Sequence, residues 1–442
     1  MHPRGARPVE LLVLTLTIAA ACTWGGGRSA PSPTRSHTPV TVTVWTFSNG
    51  RELAGLHRVL RAAATRLPWI HVVVSGGKSS SDIQAAINAG SPPDVAIEDL
   101  PDDSAAYCST GAWINLDPLA AADSIDLASV VVSAGLGYSS YRGVQCALPM
   151  LTDAMGLYYN TTMFRAAGIA SPPRTYSQLV ADAKKLTTTN PDGSLRVVGF
   201  DPLSSFWENW PIDYGVYSDA PWYDPSGRSA VGSDRRWVAL LRWQKSFVDW
   251  YGYERLRSWY RRIGGLVSST AATDAFETGK VAMMLDGEWR VAFIAADRAT
   301  VHYATAPFPV ADDLATEYGK GQVGGSIIGI PSGVSNVAGA WAVVKYLALD
   351  TKTQERLGEL WRNIPTTFAA LKDPVLRSDP HFVPFLKMFA NPNSAYKQIT
   401  PLGSADVNLL FRFITRYLAG DAPNLRAGLR RVATEIDSSL NA

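Results

Sequence analysis

The chain has 442 residues, with 41 Lys and Arg against 39 Asp and Glu, so its formal net charge is only +2. That length suits two or three domains rather than one. The charges are mixed along the chain, which excludes the clustered basic footprint of a nucleic-acid binder.

An apolar run opens at Leu11, after Arg4 and Arg7, and ends in small residues. It is shorter than the roughly 20 apolar residues a membrane span needs. A basic start, a short apolar core and a small-residue exit form the pattern of a secretory signal, expected here over residues 1–21. Ala19-Ala20-Ala21-Cys22 resembles the bacterial lipobox, although leucine is usual at the position of Ala19. The resemblance implies a lipid on Cys22 and an extracytoplasmic protein anchored to the cell membrane. Residues 22–39 are rich in Gly, Ser, Pro and Thr without apolar periodicity, the composition of a flexible tether. No second long apolar segment follows, so the body is expected to be soluble.

From Val40 the pattern alternates strands and helices. "VTVTVWTF" reads as a strand, residues 52–66 as a helix, "IHVVVSGG" as a second strand and "PDVAIEDL" as a third. "SSDIQAAINAG" reads as a short helix between them, with Ser81 and Gln84 at capping-box spacing and Gly90 as its stop. Such alternation predicts a parallel sheet with ligands beyond the carboxyl ends of its strands, at the loops from Ser48, Gly76 and Glu98. "VSGGKSS" is not a phosphate-binding loop, because the required first glycine is replaced by Val72. Setting Cys22 aside leaves Cys108 and Cys146, which form a disulfide or two buried thiols; their shared domain favours the bridge. The scattered histidines give no metal-ligand spacing, and neither a metal nor a cofactor is expected.

Further on, residues 155–159 read as a strand, 160–167 as a short helix closed by Gly168, and Thr175 with Gln178 as a second capping box. The stretch "GLYYNTTMFRAAGIASPPRTYSQL" has the order of strand, Tyr-Asn, short helix, prolines and Thr-led helix. "GSPPDVAIED", "GAWINLDPL", "AFETGKVAMMLDGEWRV", "GGSIIGIPSGVSNVAGAWAVVKYL" and "NIP" surround it in sequence. Together they resemble the extracytoplasmic solute-binding proteins of carbohydrate ABC transporters, the maltose-binding-like group, from Val40 to the C-terminus.

The resemblance implies an α/β fold of two lobes with crossed connections and a ligand cleft between them. It places lobe one at 40–150 and 303–349 and lobe two at 151–302 and 350–442. Hinge strands are expected near Pro149 to Thr152, Val301 to Thr305 and Ala348 to Thr351. It also implies ligand contacts. Trp289 and Trp207 hold the slots of sugar-stacking aromatics, and Asp153 that of a carboxylate accepting sugar hydroxyls. Asn49 follows the first strand, and Glu98, Asp99 and Asp102 follow the third. Gly325 and Ser326 offer backbone and hydroxyl donors. Leu371 stands where maltose binders have a stacking tryptophan, so the aromatic platform is altered. The implied partners are a carbohydrate, the permease subunits of an importer and the membrane through the lipid anchor. Nucleic acid is not among them, and the protein is expected to be a monomer.

Glu98, Asp99, Asp102, Asp153, Glu208, Asp286 and Glu288 all fall at or near the expected cleft, against Arg51, Lys78 and Arg290. A cleft of one sign favours a ligand of the other, which points to a sugar bearing an amine at least as readily as a neutral one. Paired carboxylates also suit a secreted carbohydrate-active hydrolase. The order of the family motifs and the lack of a nucleophile elbow or metal signature argue for a binder and against an enzyme. A third alternative is a binder of another solute, such as a phosphodiester or a peptide, which clustered arginines would favour.

Overall fold

The computed structural model describes residues 38–204, 206, 208–263 and 274–441. The expected leader, Cys22, the tether up to residue 37 and Trp207 lie outside the described residues.

The first lobe is built on a five-stranded sheet in the order Ile70–Ser75, Val40–Thr46, Val95–Glu98, Ile327–Gly329 and Ala147–Pro149. The first three strands are parallel. Ile327–Gly329 runs antiparallel to both neighbours, so the sheet is mixed rather than wholly parallel. The reason is topological: that strand enters from the other lobe instead of through a helical crossover. Val42 and Val44 point into the core at period two, and Leu56, Val59, Leu60 and Ala63 of helix Gly50–Arg66 cover them at helical spacing. The helix Ser80–Asn88 starts earlier than expected. Its cap is Ser79, and the Asp82 carboxylate accepts from the Ser79 N–H at 2.9 Å. A charged acceptor three residues on serves better than the neutral Gln84 amide, which donates to Asn88 instead. The second expected capping box is also altered. Gln178 accepts from Arg174, and the Thr175 hydroxyl pairs with Ser177.

The second lobe is organised around the strand Leu151–Asn160. It pairs antiparallel with Val323–Gly324, Ile364–Pro365, Met283–Gly287 and Tyr303–Pro307. Behind it lies an aromatic-rich core in which Tyr158, Phe276 and Phe385 meet edge-on or tilted.

Two expected boundaries are corrected by this pairing. Tyr303–Pro307 belongs to the second lobe, because it is bonded in register to Gly156–Asn160. Helix Thr351–Trp361 belongs to the first, because it packs on helix Gly50–Arg66: Trp361 Nε1 donates to the Glu52 carbonyl at 3.0 Å and Arg66 pairs with Asp350 at 2.9 Å. The chain therefore crosses between lobes at Met150, at Gly325-Ser326 and at Arg362-Asn363, and not near Val301 to Thr305 or Ala348 to Thr351. At the second crossing the backbones approach closely; a Cβ on Gly325 would lie 2.6 Å from the Leu151 carbonyl.

Cys108 and Cys146 are joined in a disulfide with Cα atoms 5.6 Å apart, tying helix Asp103–Thr110 to the residue before strand Ala147–Pro149. Cys146 packs against the stacked rings of Tyr107 and Trp113. Replacing both cysteines with serine is expected to lower stability by about 2–4 kcal/mol. Denaturant unfolding checks this, and an unchanged midpoint would contradict it.

Candidate ligand-binding cleft

The three crossings bring together residues distant in sequence. Asp153 lies on the strand Leu151–Asn160 beside Gly324, its registered partner. The adjacent strand Met283–Gly287 runs into Trp289, which precedes helix Arg290–Asp297. A Cβ on Gly287 would sit 2.1 Å from the Trp289 ring, so only glycine lets the indole fold flat over this strand end. Phe293 follows one helical turn later. After helix Thr351–Trp361, Arg362 adopts a left-handed conformation (φ 60°) that turns the chain sharply. Ile364 then pairs with Thr152, which sets Asn363 against Asp153.

Two cavities share Asp99, Asp153 and Trp289. One, of about 250 Å³, is completed by Phe47, Glu52, Phe293, Ser326, Trp361 and Asn363. The other, of about 420 Å³, is lined among others by Asp102, Met155, Glu208, Trp210, Asp213, Gly325 and Tyr396. The aromatic surface is substantial. Trp289 is half-buried, Phe47 meets Trp361 edge to face at 6.4 Å, and Trp210 stacks on Phe411 at 4.8 Å. A larger cavity of about 1130 Å³ shares only Tyr396 with these two, carries Arg142, Arg228 and Lys397, and contains none of the expected site residues. The pair of smaller cavities between the lobes is thus the candidate site.

The structure distributes the expected residues unevenly. Asp99, Asp153, Glu208, Trp289, Gly325 and Ser326 line the cleft. Asn49 does not; it is an exposed residue ahead of helix Gly50–Arg66, and Phe47 and Glu52 on either side of it face the cavity instead. Glu98 is withdrawn into the first lobe, where it accepts from Tyr107 at 2.8 Å and Ser80 at 3.1 Å. Asp102 borders the cleft with both oxygens already engaged, one by Tyr396 (2.7 Å) and one by the buried Lys397 (2.7 Å). This is a tie between the lobes. Asp286 is fully buried and held by Arg290 at 2.6 Å. Glu288 is also fully buried, behind Asp153, and accepts from the Ala154 N–H at 2.9 Å and Asn363 at 3.1 Å. Leu371 belongs to the core of the second lobe. The sequence reading missed Phe47, Glu52, Trp361 and Asn363. The "NIP" motif marks the position of Asn363 in the sequence without showing that its amide reaches Asp153.

The cleft is acidic, with Arg51 beside Glu52 and Lys397 on Asp102 as partial counter-charges. Among the described residues lining the two cavities there is no lysine or arginine. Arg290 is consumed by Asp286 and Asp274, and Lys78 lies over the Trp45 ring at 4.5 Å. Burial and mutual repulsion push the carboxyls up. Burial, then the charges of Asp286 and Asp153, raises Glu208 to about 8. Burial raises Asp153 to about 6, and it raises Glu52 and Asp99 as well. Elsewhere burial raises Glu98 and Asp201 each to about 7. These groups keep protons in the folded state at pH values where the unfolded chain has lost them. Stability must then fall as pH rises through that window. The ligand-free protein is expected to melt highest near pH 5 and progressively lower toward pH 8. Thermal melts across that range test it, and a melting temperature that climbs toward pH 8 would refute it.

Residues 56–353 match the family model described as bacterial extracellular solute-binding protein. A probable ABC transporter-binding protein of Deinococcus radiodurans is 24% identical over 287 residues, which is 60% of this chain and 64% of that one. A maltooligosaccharide ABC transporter solute-binding lipoprotein of Streptococcus pneumoniae is 25% identical over 272 residues, 60% of this chain and 59% of that one. The chain thus matches about three fifths of the length of these curated relatives. Among solved structures, CpMnBP1 with mannotriose bound aligns with a TM-score of 0.75 at 22% identity, over 90% of this chain and 99% of that one. The sugar-binding protein MalE of Xanthomonas citri aligns at 0.71 and 16%, over 91% and 98%. These likenesses establish the two-lobed maltose-binding-type α/β fold, and with the family match over most of its length, the chain belongs to the bacterial extracellular solute-binding proteins.

Proposed function

We propose that this protein captures a carbohydrate bearing an amine in the cleft between its lobes and delivers it to an ABC importer, held at the membrane by a lipid on Cys22. It acts as a binder and not as an enzyme. The observation that carries the reading is the pairing of aromatic faces with acids, of which Asp99 and Asp153 feel no cation among the described residues. Trp289, Phe47 and Trp361 offer apolar surface of the kind that covers sugar C–H faces. Asp99, Asp153 and Glu208 offer acceptors for hydroxyls and, once ionised, for an ammonium group. A phosphodiester would meet repulsion from each of these groups that is ionised, Asp153 above about pH 6 among them. The relatives support the sugar class: CpMnBP1 was solved with mannotriose and with mannobiose, and the pneumococcal relative is named for maltooligosaccharides.

Titration of matched pairs, glucosamine against glucose and their short oligomers, tests the amine. The amino form is expected to bind more tightly, with the advantage shrinking as salt is added. Equal or weaker binding of every amino form would leave a neutral-sugar binder. The amine preference should also grow as pH rises from 5 toward 7, because Asp153 ionises across that interval while the ligand stays cationic.

Trp289→Ala is expected to weaken ligand binding by about 1–3 kcal/mol, the scale of a lost aromatic contact. The ring is half-buried at the cleft rather than enclosed in a core, so the variant should still fold. Calorimetric titration and a melting curve separate the two effects, and outright unfolding would assign the indole to the fold.

A further inference from the structure

Glu288 is an acid with no access to solvent and, among the described residues, no cation paired with it. It is fully buried behind Asp153, and its oxygens accept from the Ala154 N–H at 2.9 Å and the Asn363 amide at 3.1 Å. The same Asn363 amide also donates to Asp153, so one side chain holds both carboxyls. Two carboxyls gripped by one amide, with Glu288 fully buried, cannot both stay ionised without strong mutual repulsion, so the pair keeps a proton. The surroundings decide where that proton sits. Glu52 and Asp99 from the first lobe add negative charge near Asp153, and Glu208 from the second, raised to about 8, joins them only at higher pH. Tyr138 from the first lobe is fully buried and feels the charge of both carboxyls, and Arg290 is engaged with Asp286 and Asp274. Asp153 opens onto both cavities, whereas Glu288 lines neither.

We propose that Glu288 is a positioning residue that works as a neutral acid: it donates its proton in a hydrogen bond to Asp153, so that the pair presents one negative charge, on Asp153, aimed at the ligand. Ionised, it would place a second charge beside Asp153 and drive Asp153 to take up a proton. Neutral, it supports ionised Asp153 as a seat for an ammonium group or for paired hydroxyls. Burial and the Asp153 charge together push Glu288 far above the ordinary carboxylate range, in keeping with this role. The inference rests on the cleft being the ligand site, and it deepens the amine reading without depending on the amine.

Three variants and two readouts test it. Glu288→Gln keeps a neutral donor of nearly the same shape but gives up one acceptance, from Ala154 or from Asn363, so it should bind clearly more tightly than the Ala variant, with the same or a lower pH midpoint for binding. Glu288→Ala removes the donor and should lose affinity about tenfold or more, with the midpoint moved to higher pH because Asp153 then ionises less readily. Asp153→Asn should abolish the preference for glucosamine over glucose. Carbon-13 carboxyl resonances of the ligand-free protein provide the second readout: Glu288 should be protonated at pH 7, whichever sugar binds. An ionised Glu288 at that pH, or a Gln variant whose loss and midpoint match those of the Ala variant, would overturn the proposal. A protonated Glu288 with no preference for any amino sugar would instead overturn the amine reading and leave the positioning role standing.

Discussion

Leu151–Asn160 is the constraint on which the rest of the molecule depends. All four other strands of the second lobe's main sheet pair with it, and its first residues follow directly from the last strand of the first lobe. Because side chains alternate along a strand, pairing register decides what each position faces. The Gly324–Asp153 and Ile364–Thr152 registers bring two of the three crossings to the same end of this strand, and the Gly287–Met155 register brings Trp289 there as well. One residue of slip would turn Asp153 into the core and Thr152 into the cleft. The site is therefore a consequence of sheet geometry and not of loops chosen one by one.

The crossings also settle how the lobes are joined beyond the backbone. Asp102 of the first lobe is engaged by Tyr396 and Lys397 of the second, and Lys397 is shared with Asp406, which also accepts from Tyr223 at 2.5 Å. Removing one member of such a buried network leaves another charge unpaired at high cost. The tie borders one side of the cleft, whereas the cavity lined by Glu52, Asp99 and Asp153 holds no lysine or arginine among its described lining residues. Acids held close together by burial disfavour the fold at neutral pH, where they would lose their protons. Local rules of charge pairing are commonly broken at a working site in this way.

Much of the outline was readable in the sequence because it rests on short-range patterns. Period-two alternation in Val40–Thr46 and helical spacing in Gly50–Arg66 reflect burial of one face, which a sequence displays directly. The motif order around Tyr159-Asn160 and Asp286 to Trp289 indicated the two-lobed fold. Trp289, Asp153, Asp99 and Glu208 could be placed at the cleft because each lies at a strand end or in a motif. Errors arose where two candidates compete locally, as when Asp82 rather than Gln84 completes the cap of its helix.

What the sequence by itself determined is thus the set of elements, their class and an excess of acids at the ends of the strands. Only the tertiary structure decided which acids line the cavities. Glu98 and Asp99 are adjacent in sequence, yet Glu98 is drawn inward by Tyr107 and Ser80 while Asp99 faces the cavities. Phe47 and Asn49 are separated by one residue, and only the first lines the cleft. Trp361 and Asn363 reach it because Arg362 reverses the chain and Ile364 finds its place beside Thr152, more than 200 residues earlier in the sequence. The assignment of Tyr303–Pro307 to the second lobe depends in the same way on pairing with Gly156–Asn160. Such contacts are set by sheet register across long stretches of chain, and no local spacing of residues encodes them.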